Sequence, residues 1–312
     1  MNERIKKLRE SSLEAKPTVS SERARIVTEA YRRPEVERAP IPIQRALVFK
    51  DLMQKKAIFI DDGELIVGER GPAHKATPTY PEVCCHSLED LEILNSRPKT
   101  NYAVDEETLQ LYHDEIIPFW RGRSMRDRLL AAMTPEWKDA YEAGIFTEFM
   151  EQRTPGHTVL GDKIYTKGLL DIKKDIEESL ARLDFYHDPE ALDKQYELEA
   201  MAIAADALML YARRYAELAR SMAAAEKDPQ RKKELEKIAE VCDWVPAHAP
   251  RDFWEALQYY WFVHVGVTTE YNTWDSFNPG RLDQNLYPFY KKGLEDGTLT
   301  REWAKELLEA FW

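Results

Sequence analysis

Residues 190 to 243 constrain the fold more than any other stretch of the chain. Leu192, Tyr196, Met201, Leu208, Tyr215, Leu218 and Met222 recur near a 3.6-residue period, with Glu, Lys and Arg filling the positions between. A turn at Lys227-Asp-Pro-Gln230 divides the stretch into a helical hairpin, whose second arm runs through Leu235, Ile238 and Val241. A further helix begins near Pro250 and is apolar almost all round at Trp254, Leu257, Tyr260, Trp261 and Val263, which predicts a core helix. Its uncharged run from Ala256 to Thr269 has 14 residues. That is short of the roughly 20 needed to span a bilayer, so a transmembrane protein is excluded.

Of the 312 residues, 44% are hydrophobic and 32% charged, which excludes a disordered or low-complexity chain. Residues 1–312 show no linker, repeat or internal domain boundary. Ser20 or Ser21 can cap a helix through Glu22, Ile26, Val27, Ala30 and Tyr31 that stops at Pro34. A second helix after Pro40 and Pro42 should bury Ala46, Leu47, Phe49 and Leu52. Ala57-Ile-Phe-Ile60, a turn at Asp61-Asp62-Gly63, and Glu64-Leu-Ile-Val-Gly68 carry a hairpin signature, the clearest β signal in the chain. Gly71, Pro72, Pro78 and Pro81 predict an extended loop over 71–81. Ser87 and Thr134 each open another helix. Thr300 caps a last one, whose Trp303, Leu307, Leu308, Phe311 and Trp312 reach the terminus without a glycine stop or a polar tail. This predicts the first part of a longer polypeptide, with the terminal residues and the helix at 253–265 needing further chain to cover them.

Lys and Arg number 44 against 56 Asp and Glu, a net charge of −12. That disfavours nucleic acid and anionic lipid, and leaves a small molecule or a protein as the partner. The opening from Met1 to Glu10 is charged throughout and has no apolar signal core, which predicts a cytoplasmic protein. Cys84, Cys85 and Cys242 have neither disulfide-framework nor zinc spacing and are expected to be reduced packing thiols that bind no zinc. His264 reads as a core histidine, and the charged runs near 172–178 and 231–237 as solvated helix faces. Phosphate loops, nucleophile elbows and His-Glu-x-x-His helices are absent from the sequence.

Two aperiodic segments remain, 146–162 and 268–284, in which polar and aromatic residues sit among glycine and proline. The second carries Glu270, Asp275, Arg281 and Asp283 close to a presumed core, where charges need partners. Read blandly, Arg281 pairs with Asp283 or another carboxylate to brace a loop, and His157 is only a loop hydrogen-bond donor.

At these segments the chain resembles the glycyl radical enzymes of the pyruvate formate-lyase type. The resemblance is carried by Asp62-Gly-Glu-Leu-Ile-Val-Gly68, by Pro155-Gly-His-Thr-Val159 with Gly161-Asp162, and by Phe277-Asn-Pro-Gly-Arg-Leu-Asp-Gln284 followed by Tyr287-Pro-Phe-Tyr290. Pro78-Thr-Tyr-Pro-Glu-Val-Cys-Cys-His86, Met133-Thr-Pro-Glu-Trp137, Phe146-Thr-Glu-Phe-Met-Glu-Gln-Arg153 and Trp274-Asp275 bring it nearest to the branch that dehydrates trans-4-hydroxy-L-proline.

The resemblance implies an α/β fold, mostly helical, forming the N-terminal part of a ten-stranded α/β barrel. It implies an anaerobic hydro-lyase whose glycyl radical is installed by a radical S-adenosylmethionine activase, a homodimer when full length, and no bound metal. Neither the radical glycine nor the thiyl cysteine of the family has a counterpart in these 312 residues, which leaves this stretch without its own means of hydrogen abstraction. Phe149, His157 and Asp275 match the substrate-facing positions, His157 and Asp275 also as catalytic groups, and the pair His157 with Asp275 favours hydroxyproline. The implied product is pyrroline-5-carboxylate. Other readings are a glycerol or propanediol dehydratase, an isethionate or C–N/C–C lyase, a truncated non-catalytic paralogue, or a helical scaffold in which His157 and Asp275 lie far apart.

Overall fold

A computed structural model describes residues 2–146, 160–271 and 278–312. Helix α1 (Glu3–Glu14) starts where Asn2 accepts a hydrogen bond from the Ile5 N–H. Strand β1 (Thr18–Ser20) leads into α2 (Glu22–Tyr31), the short α3 (Pro34–Glu37) and α4 (Ile41–Lys55). Strand β2 (Ala76–Pro78) pairs parallel with β1, Val19 opposite Thr77. The loop expected over 71–81 is thus extended, and three of its residues form a strand.

Ser87 and Asp90 close a capping box on α5 (Leu88–Ser96). Next come α6 (Glu106–Leu111), a π turn (Tyr112–Ile116), α7 (Ile117–Trp120), α8 (Met125–Ala132) and α9 (Pro135–Glu142), the last capped by Thr134 as expected. The predicted hairpin of helices forms as α11 (Ala191–Ala225) and α12 (Pro229–Trp244), preceded by α10 (Leu169–Leu180). Helix α13 (Phe253–Glu270) is the core helix, α14 (Leu282–Asp296) follows it, and Thr300 caps α15 (Arg301–Phe311). The fold is mostly helical, with one two-stranded sheet among the described residues.

The buried stripe of α11 differs from the one its large apolar residues predict. Leu192 and Met201 are exposed, and the face against α4 and α12 consists of Ala205, Leu208, Tyr211, Ala212, Tyr215, Ala216, Ala219 and Ala223. Alanine on that face lets neighbouring helices approach closely. Helix α13 is buried nearly all round, from Phe253 and Trp254 to Val265 and Gly266.

Contrary to expectation, α13 and α15 find their cover within this chain. Leu307 is fully buried, Trp303 packs edge-on against Trp254, Phe311 lies against Trp261, and only Trp312 of the terminal group is largely exposed, at 81%. The run at 231–237 is a solvated face in part, at Lys232, Lys233 and Glu236. Arg231 and Glu234 are buried, and Arg4 of α1 joins them by donating to Glu234 at 2.9 Å and to Glu306 at 2.8 Å. Helix α1, which the charged opening does not announce by any apolar period, is fastened by that ion pairing.

The hairpin expected at 57–68 does not form; residues 61–69 run along α13 without a strand partner. The backbone groups of that segment go instead to side chains. Trp254 Nε1 donates to Leu65 O at 2.9 Å, Gln258 both accepts from Val67 N–H (2.8 Å) and donates to Val67 O (2.7 Å), and Trp261 Nε1 donates to Gly68 O at 2.8 Å. Positions 254, 258 and 261 share one helical face, so α13 imitates a neighbouring strand with its side chains. Arg231 holds Asp61 O and Glu64 O at 2.9 and 2.8 Å. Gly68 completes the contact: its φ is +130°, and a Cβ there would stand 3.2 Å from the Trp261 ring.

Candidate functional site

Phe149, His157 and Asp275 lie outside the described residues. What the structure gives is the frame from which those stretches depart. Phe146 packs edge-on to Trp137 at 5.3 Å, and the Leu160–Asp162 stretch leads into a turn of 3-10 helix (Lys163–Tyr165). The other departure is the end of α13, where charge and burial are concentrated.

Helix C-termini leave carbonyls unpaired, and here cations and a phenol take them. Arg23 of α2, 5% exposed, donates through Nε to Thr269 O at 2.6 Å and through Nη2 to Glu270 O at 3.1 Å. The same guanidinium reaches Thr79 O at 3.2 Å and grips both carboxylate oxygens of Glu82, with the Tyr80 ring 3.9 Å away. Burial alone would lower the pKa of Arg23, but Glu82 outweighs it and raises it, so the guanidinium stays charged. Tyr80 donates its phenol to Thr268 O and receives a hydrogen bond from Arg70 at 3.0 Å.

Arg45 of α4 binds the Glu270 carboxylate, Nε to Oε1 at 3.0 Å, and lies over the Tyr271 ring at 4.4 Å. Burial lifts the Glu270 carboxyl above the usual range, with Arg45 pulling it back. Lys56, almost wholly buried, donates to Glu69 O (2.6 Å), Arg70 O (3.2 Å) and Thr269 Oγ1 (3.4 Å); burial brings its pKa down to about 7. Glu270 thus has the partner the sequence demanded. Arg281 and Asp283 are both exposed, and Arg281 reaches Gln284 at 3.5 Å rather than Asp283.

A second cluster sits at the other end of the extended segment. His74 places Nε2 against Asp61 and Nδ1 3.5 Å from Glu69, while Glu64 accepts the Asp61 N–H at 2.9 Å. Asp61, Glu64 and His74 bring one ligand atom each within 4.8 Å of one another, the residue types and spacing that could hold a divalent cation. Burial pushes Glu64 up to about 7, against the hydrogen bond from the Asp61 N–H, which holds it down. Burial would lower His74, but its hydrogen bond to Asp61 raises it. Beside them opens a cleft of about 1170 Å³, lined among others by Leu8, Ile66, Trp261 and Trp312.

The three cysteines are free thiols. Cys242 is sealed in the core, burial pushes Cys85 up to about 12, and Cys84 receives a hydrogen bond from Arg126 at 3.2 Å. His264 is half-buried rather than in the core, stacked on Trp261 at 5.2 Å with Nδ1 3.0 Å from the Tyr260 hydroxyl. Sequence reasoning passed over Arg23, Arg45, Lys56 and Glu82. For Arg23 a signal existed: position 23 lies on the helical face of Ile26, Val27 and Ala30, and a charge on such a stripe needs a buried partner.

The whole chain, residues 1–312, matches the family model described as pyruvate formate lyase-like. It is 56% identical over 310 residues to trans-4-hydroxy-L-proline dehydratase of Clostridioides difficile, covering 99% of this chain and 39% of that protein. The crystal structure of that organism's hydroxyproline dehydratase with trans-4-hydroxy-L-proline bound superposes with a TM-score of 0.96, covering 100% of this chain and 39% of the other. A Roseburia inulinivorans structure described for 1,2-propanediol dehydration gives a TM-score of 0.91 at 30% identity, covering 100% of this chain and 37% of its own. The chain spans about two-fifths of the length of these relatives, its helices and small sheet form part of their fold, and it belongs to the pyruvate formate lyase-like family.

Proposed function

We propose that this chain is the N-terminal part of a glycyl radical dehydratase that removes water from trans-4-hydroxy-L-proline to give pyrroline-5-carboxylate. The observation that carries the reading is the 56% identity sustained over 99% of the chain to a dehydratase of that substrate. A glycyl radical, installed by a radical S-adenosylmethionine activase and relayed through a cysteine thiyl, supplies the hydrogen abstraction. Cys84, Cys85 and Cys242 do not stand in the family's cysteine context, so that step belongs to residues beyond this stretch. The intact enzyme acts in the cytoplasm as a homodimer.

The part assigned to this chain is one wall of the pocket. Once hydrogen is abstracted beside the carbinol carbon, hydroxide is a poor leaving group unless a proton reaches it. His157 donates that proton, so the C–O bond breaks and the oxygen leaves as water. Asp275 favours the charged imidazole that makes this possible at neutral pH. Phe149 presents an apolar face to the pyrrolidine ring.

The test is turnover by the intact protein, activated anaerobically, followed as loss of hydroxyproline and formation of pyrroline-5-carboxylate. Dehydration of hydroxyproline is the expected result. Turnover of propanediol, glycerol or isethionate with hydroxyproline untouched would overturn the substrate assignment.

A further inference from the structure

Lys56 follows the last turn of α4 and is 2% exposed. Arg214 holds its carbonyl at 2.7 Å, so the side chain starts from a fixed point. The three partners of its amine are Glu69 O, Arg70 O and Thr269 Oγ1, none of them a carboxylate. The carboxylates that act on it, Glu22 and Glu69, are engaged elsewhere: Glu22 accepts the Ala57 N–H at 2.8 Å and Glu69 the Arg70 N–H at 2.7 Å. Arg214 and Arg70 oppose them with like charge. Tyr211, its ring 5.1 Å from Nζ, is raised by burial and stays a neutral phenol. An ammonium taken out of water with only neutral partners is costly. The same partners suit the uncharged amine: two carbonyls can only accept, whereas a hydroxyl can also donate, so two N–H groups and one lone pair are all satisfied.

We propose that Lys56 is a proton-operated pin joining residues 69–70 to the last turn of α13, tight when its amine is neutral and loosened when the amine takes a proton. In the neutral form the Thr269 hydroxyl donates to the amine; in the charged form it must turn and accept. Burial lets the folded amine release its proton at about 7, whereas an exposed lysine keeps it up to the ordinary value of 10.5. Between those values the opened chain binds more protons, so the join strengthens as pH rises from 7 towards 10.5. Below 7 both forms are charged and pH no longer acts through this residue.

The experiment is hydrogen–deuterium exchange on the intact protein from about pH 6.5 to about pH 8.5, read by mass spectrometry in peptides covering 66–71 and 265–271 and corrected for the intrinsic pH dependence of exchange. Lys56→Gln supplies two N–H donors and an acceptor oxygen, as the neutral amine does, and does not titrate. Relative to that variant, wild-type protection is expected to rise on the order of tenfold between about pH 7.5 and 8.5. Every other titrating group is common to the two proteins. Parallel profiles overturn the proposal, as does wild-type protection that falls with pH relative to Lys56→Gln. If Lys56→Gln does not fold, Lys56→Met makes the same comparison. Should neither fold, the wild type alone decides: protection at 66–71 and 265–271 must rise against that of α5, and a flat or falling ratio overturns the pin.

Discussion

The exit of α13 and the extended segment 61–69 are both held by side chains rather than by secondary structure, but their charges balance differently. At the exit two guanidiniums meet two carboxylates, Arg23 with Glu82 and Arg45 with Glu270. At the start of the segment one imidazole faces Asp61, Glu64 and Glu69, and burial leaves Glu64 with a raised pKa. In the first arrangement the guanidiniums of Arg23 and Arg45 stay charged, and the groups beside them that titrate are the raised Glu270 carboxyl and Lys56. The second holds a proton in the physiological range, and its stability should follow that proton.

The comparison breaks most sharply at Glu82. Glu82→Ala leaves Arg23 buried without its counter-charge and is expected to destabilise the fold by about 3–5 kcal/mol, measured by urea denaturation. A loss below about 1 kcal/mol would mean that the carbonyls alone satisfy the guanidinium. Next in size is Gln258→Leu, which strips both partners from Val67 and should cost on the order of 3 kcal/mol, as two buried backbone groups go unpaired. Near-wild-type stability in that variant would show that another group or water replaces the amide.

The pH contrast is smaller. Because the folded-state pKa of Glu64 is raised to about 7 from an ordinary value near 4.5, the folded chain binds the extra proton between those values. Its contribution to stability is therefore lost as pH rises through that window. The raised His74 acts in the same sense, its contribution fading as pH climbs past its folded value. Relative to Glu64→Gln, the wild type should lose on the order of 2 kcal/mol between pH 5 and 7.5. Parallel melting curves for the two proteins across that range would remove Glu64 from the account. Smallest of all, Arg281→Ala should change stability by less than about 0.5 kcal/mol, since its side chain is exposed. A larger loss would restore Arg281 as a structural brace.

Much of the helical framework was legible because caps and breakers act locally. Ser87 with Asp90, Thr134 before Pro135, and Thr300 each announce a helix that forms where expected. The segment at 57–68 was misread for a physical reason: alternation and a turn identify extended, buried backbone, but do not say whether a strand or a row of Trp and Gln side chains will satisfy it. The buried face of α11 failed similarly, since alanine scores weakly as a hydrophobe although close helix packing selects it. At the site the residues say less. Phe149, His157 and Asp275 came from resemblance, and the contacts of Arg23 at the end of α13 depend on partners such as Thr79, Glu82 and Thr269 that lie 56, 59 and 246 residues from it.

The grip of α13 on residues 65–68 also bears on how this protein can vary. Each hydrogen bond in that contact ends on a peptide group, which every amino acid carries, so Leu65 and Val67 are free to drift among residues of similar volume. Trp254, Gln258 and Trp261 have no such latitude, because the indole N–H and the carboxamide are themselves the partners. Constraint on sequence change should therefore fall on the helix that does the holding, while the β-like stretch that first draws the eye tolerates exchange.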